Sequence, residues 1–81
     1  MFKNKNHSSN NICGKNVKKY RLESSSRMSQ RALADKLQLE GIDLDKNAIQ
    51  RIESGQRFVT DIELVALANV LDVPLESLLH K

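Results

Sequence analysis

The stretch that most restricts the fold runs from Ser29 to Gly55 and reads SQRALADKLQLEGIDLDKNAIQRIESG. It holds two apolar stripes at helical spacing, Leu33, Ala34 and Leu37, then Ile49 and Ile52, each bracketed by its own start and stop signals. Ser29 follows the apolar Met28 and reads as an N-cap, with Met28 packing on Leu33 as a hydrophobic staple. Ala32 stands where a glutamate would complete a capping box. Gly41 is the natural C′ residue, so this helix is expected to run to Glu40. Ile42 and Leu44 then dip into the core through an irregular turn. Asp45 caps the next helix, Lys46 to Ser54, which ends at Gly55. Ala34 and Ala48 are small enough to let the two helices cross closely.

The flanks follow the same logic. A helix is expected over 12–23, with Ile12, Val17, Tyr20 and Leu22 at its apolar positions and Asn16, Lys18 and Lys19 exposed. Gly14 weakens its first turn, which would move the start a residue or two later. Ser24, Ser25 and Ser26 end it by competing for backbone hydrogen bonds. After a loop through Gln56, Arg57, Phe58 and Val59, with Phe58 read as core, Thr60 and Glu63 form a complete capping box. The helix it opens runs to Leu71, apolar at Ile62, Val65, Ala66, Ala68 and Leu71. Pro74 then breaks the chain or starts the last helix, Leu75 to Leu79. The fold class expected is all-α: a compact bundle of five short helices, without strands or internal repeats. Its domain spans 12–81, preceded by a flexible polar arm over 1–11.

Composition decides how such a bundle must be held. With 81 residues there is room for one core, and low glycine and proline suit helices. Cys13 is the single cysteine, so no intramolecular disulfide exists and a reducing, cytoplasmic setting is expected. One cysteine with the distant His7 and His80 makes no metal cluster at usual spacings, and neither metal nor cofactor is expected. The N-terminus lacks the apolar region of a signal peptide, and no apolar run reaches the roughly 18 residues of a membrane span. Helix packing alone is left to stabilise the fold.

Charge is uneven along the chain. Lys3, Lys5, Lys15, Lys18, Lys19, Arg21, Arg27 and Arg31 face only Glu23 before Ala32, whereas acids outnumber bases from there on. The asymmetry fits a polyanion-binding side with an acidic far side, or equally a solvated basic tail and helix. The second of the punctuated helices narrows the choice. Away from Ile49 and Ile52 it carries Lys46, Asn47, Gln50 and Arg51. Lys and Arg can donate to guanine O6 and N7, and Asn and Gln can pair with adenine N6 and N7. Arg51 has phosphate as its other natural target. Ser29 and Gln30 open a helix whose free N–H groups and dipole favour an anion such as phosphate, though Ser29 also serves as a cap. Arg57 follows the same helix, placed for a phosphate or for solvent. No Gly-rich phosphate loop and no nucleophile–base pair is present, so no enzyme is expected. Cys13 reads as an inert, partly buried thiol and His80 as solvated.

SQRALADKL, then AIQRIESGQR, then a capped helix and DVPLESLL resemble the lambda-repressor and Cro-like (XRE-type) helix-turn-helix family over Gly14 to Leu79. The resemblance implies a five-helix bundle whose second and third helices form the DNA-binding unit, the third lying in the major groove. It implies a phosphate contact for Gln30, and base-edge or flanking phosphate contacts for Lys46, Asn47, Gln50 and Arg51. It also implies a structural ion pair between Arg21 and Glu53. Two connections are longer than usual in the family, Ser24 to Met28 and the turn between Leu37 and Ile49, the latter read as an extra helical turn plus a longer loop. The partners implied are double-stranded DNA and a second copy on a two-fold related half-site. A different class of function fits the same fold: an antitoxin-like protein-interaction module, using the acidic C-terminal half with Leu75, Leu78 and Leu79 against a protein partner.

Overall fold

Three side-chain caps set where helices begin. Ser29 Oγ accepts the Ala32 N–H at 3.0 Å and Asp45 Oδ1 accepts the Ala48 N–H at 2.8 Å. Thr60 and Glu63 close the reciprocal box, Glu63 N–H donating to Thr60 Oγ1 at 3.2 Å and Thr60 N–H to Glu63 Oε1 at 3.1 Å. Each takes up donors that a helix start leaves without an internal partner. The computed structural model describes residues 9–24 and 27–80. They form α1 (Gly14–Glu23), α2 (Gln30–Leu39), α3 (Lys46–Glu53), α4 (Asp61–Leu71) and α5 (Leu75–Leu79), with no strand among the described residues. This is the all-α, five-helix bundle that the sequence leads one to expect.

The stops are equally local. Gly41 and Gly55 both take φ +83°, the left-handed conformation that glycine adopts without steric cost. At α2, Gly41 N–H donates to Gln38 O and Ile42 N–H to Leu37 O, both at 3.0 Å. At α3, Gly55 N–H donates to Ile52 O at 3.1 Å and Gln56 N–H to Arg51 O at 2.8 Å. Both are the paired 5→2 and 6→1 closures of a Schellman motif. Asp72, at φ +58°, closes α4 the same way through Asn69 O and Ala68 O. α4 thus ends at Leu71, as expected, with a non-glycine residue in the left-handed region as its stop, and Pro74 stands at the start of α5.

The core draws Val17 from α1, Leu33 and Leu37 from α2, Ile49 and Ile52 from α3, Leu67 from α4 and Leu78 from α5, all fully buried. α2 packs on α3 and α4, while α1 packs on α3, α4 and α5. The lengthened turn is anchored rather than free: Leu44 is 4% exposed and Ile42 half-buried against the core. Met28 is buried, as its role as staple requires.

Several expectations need correction. α1 begins at Gly14, the two-residue delay expected, but Ile12 is no apolar position of it: it lies outside the helix, 40% exposed. Glycine at that start serves close approach, because a Cβ there would collide with the Ile52 carbonyl of α3. Asn16 is half-buried, its Nδ2 donating to Leu78 O at 3.0 Å and His80 O at 2.6 Å, so it ties α1 to the end of α5. Phe58 is 64% exposed and Ile62 68%, with Val65 also exposed, so these apolar side chains form outer surface, not core. Leu78, read as a candidate partner contact, is instead fully buried; Leu75 and Leu79 remain partly exposed. Cys13 is fully rather than partly buried. Of the arm over 1–11, residues 1–8 (with Lys3, Lys5 and His7) lie outside the described residues, as do Ser25 and Ser26. Asn10 and Asn11, in contrast, are hydrogen-bonded to the end of α3 and the loop beyond it.

Candidate nucleic-acid interface

α3 has eight residues and two unlike faces. Ile49 and Ile52 are fully buried, whereas Lys46, Asn47, Gln50 and Arg51 are all exposed. Positions 46, 47, 50 and 51 fall on one side of a 3.6-residue helix, so four polar side chains rich in donors make a single outward row. The helix is short, and its attitude therefore depends on what grips it.

At its inner face the grip is polar. Arg21 of α1 meets Glu53 through two parallel bonds, Nε to Oε2 at 2.7 Å and Nη2 to Oε1 at 2.9 Å. The remaining nitrogen, Nη1, donates to the Met28 carbonyl at 2.9 Å. Gln30 Nε2 donates to Glu53 Oε1 at 3.0 Å. A fork of this kind fixes direction as well as distance, and it joins α1, the start of α2 and the end of α3. The Arg21–Glu53 pair expected from the family resemblance is present, and Gln30 is part of it.

The flanking positions differ in what they have free. Ser29 is exposed at the start of α2, but its Oγ already serves as the cap. Arg57 is half-buried; its Nη1 and Nη2 bind Glu63 Oε1 and Oε2 at 2.8 and 3.1 Å, and Nη1 also donates to Phe58 O at 2.9 Å. Hydrogen bonding from Arg57 holds the Glu63 carboxyl below the usual carboxylate range, and the same contact raises the Arg57 guanidinium further. At the other end of α3 a surface hollow of about 310 Å³ is lined in part by Arg31, Asp35, Asp43, Asp45 and Lys46. Acids and bases thus mix around the start of the helix, while Arg51 and Arg57 lie at and beyond its end. Burial pushes the Cys13 thiol above its ordinary range.

A family model described as helix-turn-helix matches residues 17–78. The chain belongs to that family, in its Cro/C1-type (XRE) form. Neither the curated proteins nor the solved structures produced a match. Helix-turn-helix proteins of this family are DNA-binding regulators, and α2 and α3 are the helices that give it its name here. In this member the turn between them occupies residues 40–45, closed at one end by the Gly41 motif and at the other by the Asp45 cap. No helix among the described residues is long and apolar enough to cross a membrane. Nor does any group of three or more His, Cys, Asp or Glu side chains among them assemble to hold a metal.

Sequence reasoning missed two features of this region. The pairing of Arg57 with Glu63 links a loop to a helix across a capping box, which no helical or strand spacing signals. The amides of Asn10 and Asn11 bind carbonyls more than forty positions away, from Ile52 to Arg57, and nothing in a polar, aperiodic segment foretells it.

Proposed function

We propose that the chain is a sequence-specific transcriptional regulator that lays α3 in the major groove of DNA and binds as a homodimer on two-fold related half-sites. The observation that carries this reading is the outward row of Lys46, Asn47, Gln50 and Arg51 on the third helix of a helix-turn-helix protein. Those four side chains supply the donors and acceptors that base edges in the major groove match. Ser29 and Gln30 at the start of α2 and Arg57 beyond α3 are the phosphate contacts of this proposal, fixing register without reading sequence. Arg57 would exchange Glu63 for a phosphate on binding.

Selection of bound duplexes from a random DNA pool, followed by the salt dependence of binding to the winner, tests the proposal. A two-fold symmetric consensus and a steep loss of affinity with salt are expected. A pool with no enriched sequence would remove the reading. Asn47→Ala and Gln50→Ala should each keep the fold and relax preference at one position, by about 1–3 kcal/mol per lost bidentate contact.

A second reading, an antitoxin-like protein-interaction module, is favoured by one observation: Phe58, Ile62 and Val65 expose apolar surface at the start of α4. Recovery of a stoichiometric enzyme partner from the native host, in place of promoter DNA, would decide for it.

A further inference from the structure

We infer that Asn11, which precedes the family match at residues 17–78, is a positioning residue that sets the attitude of α3 and of the loop carrying Arg57. Its amide Nδ2 donates to Ile52 O at 3.1 Å and to Arg57 O at 2.7 Å, so both amide hydrogens are spent on the exit of α3. Its Oδ1 accepts the Gly14 N–H at 2.7 Å, so the same side chain holds the start of α1. Asn10 extends the strap, its N–H donating to Gly55 O at 2.7 Å and its Nδ2 to Gln56 O at 3.0 Å. The absent Cβ of Gly14 lets α1 lie against the Ile52 carbonyl, which brings Asn11 within reach.

These bonds add something that the core does not. Ile49 and Ile52 are held by apolar contacts, which are non-directional and tolerate small rotations of a short helix. Hydrogen bonds weaken steeply with angle, and the strap's acceptors are main-chain carbonyls, so it fixes backbone rather than a side chain. The Arg21–Glu53 fork fixes the inner face of α3; the strap fixes its exit, where Arg51 and Arg57 stand. Base readout depends on bidentate geometry, so a helix freed at one end loses discrimination before it loses general attraction to phosphate.

The inference rests on the DNA-reading proposal, and the test separates the two. The parent chain, Asn11→Asp and Asn11→Ala are compared on the duplex that the parent selects from a random pool and on single-base variants of it. Asn11→Asp retains the acceptor for Gly14 N–H but has no donor for Ile52 and Arg57, so it keeps the α1 contact and removes the strap. Its discrimination between the selected duplex and its variants is expected to fall about tenfold, within the range that one base contact supplies, with far-UV circular dichroism like the parent's. Amide exchange at Gln56 and Arg57, whose N–H groups bond to Arg51 O, should quicken relative to that in α4. Discrimination by Asn11→Asp equal to the parent's, with only Asn11→Ala impaired, would overturn the inference and leave Asn11 as a cap of α1. If Asn11→Asp does not fold, Asn10→Ala is read instead: a few-fold loss of discrimination supports the strap, and parental behaviour overturns it. A parent chain that selects no sequence defeats the DNA-reading proposal itself and takes the inference with it.

Discussion

Arg21–Glu53 and Arg57–Glu63 are the same chemical pair at nearly the same distance, 2.7 and 2.8 Å, in two neighbouring regions of one small protein. Their side chains differ in exposure: 8% and 4% for the first, 32% and 15% for the second. The first lies where α1, α2 and α3 meet, with further bonds to Met28 O and from Gln30. The second sits at the surface beside the exit of α3, with water at hand. Removing one partner of a buried pair strands a charge, whereas an exposed pair contributes little and can trade partners. The inner pair therefore holds α3 in place, and the outer pair is the one free to trade partners.

Four measurements test whether the two pairs differ in this way. The largest effect is expected for Arg21→Ala, which leaves Glu53 buried without its charge partner. It should cost about 3–5 kcal/mol in urea denaturation, a large part of the 5–15 kcal/mol typical of a whole domain. A loss below 1 kcal/mol would erase the distinction between the two pairs. Gln30→Ala comes next, because it removes a bond to a charged acceptor: about 1.5–3 kcal/mol by the same assay.

Arg57→Ala should cost no more than about 1 kcal/mol in stability. In DNA binding it should weaken all sequences alike and reduce the salt slope by about 1. An unchanged slope would keep Arg57 with Glu63 and away from phosphate. The smallest effect is pH-dependent. Because the folded Glu63 carboxyl titrates below its unfolded value, its share of stability is present above the unfolded value and is lost as pH falls through the folded one. Denaturation midpoints measured on the acid side should therefore fall slightly more in the parent than in Glu63→Gln, by under about 1 kcal/mol for a pair that water reaches. Equal slopes would mean that the outer contact adds nothing even to folding.

The helix starts at Ser29, Asp45 and Thr60, the stops at Gly41 and Gly55 and the inward faces of α2 and α3 were legible in the sequence. Each is decided within one or two turns, by a donor that needs an acceptor or a backbone angle that suits glycine. The outward row of α3 was legible for the same reason, once Ile49 and Ile52 fixed which side faces in. The Arg21–Glu53 pair was legible only through the family pattern, since two charges 32 positions apart announce nothing by themselves.

Tertiary structure alone decided the rest. Ile62 and Val65 are as apolar as Leu67, yet only Leu67 is buried, because burial depends on which neighbour comes to cover a face. Phe58 is exposed for the same reason. Asn11 looks like any polar residue of an arm until folding brings Ile52 and Arg57 to it across 41 and 46 positions. Sequence determined where this protein makes helices, because capping and periodicity are short-range. Only the fold determined which distant groups bond to the exit of α3, because hydrogen bonds between distant segments exist only after the core has brought them together.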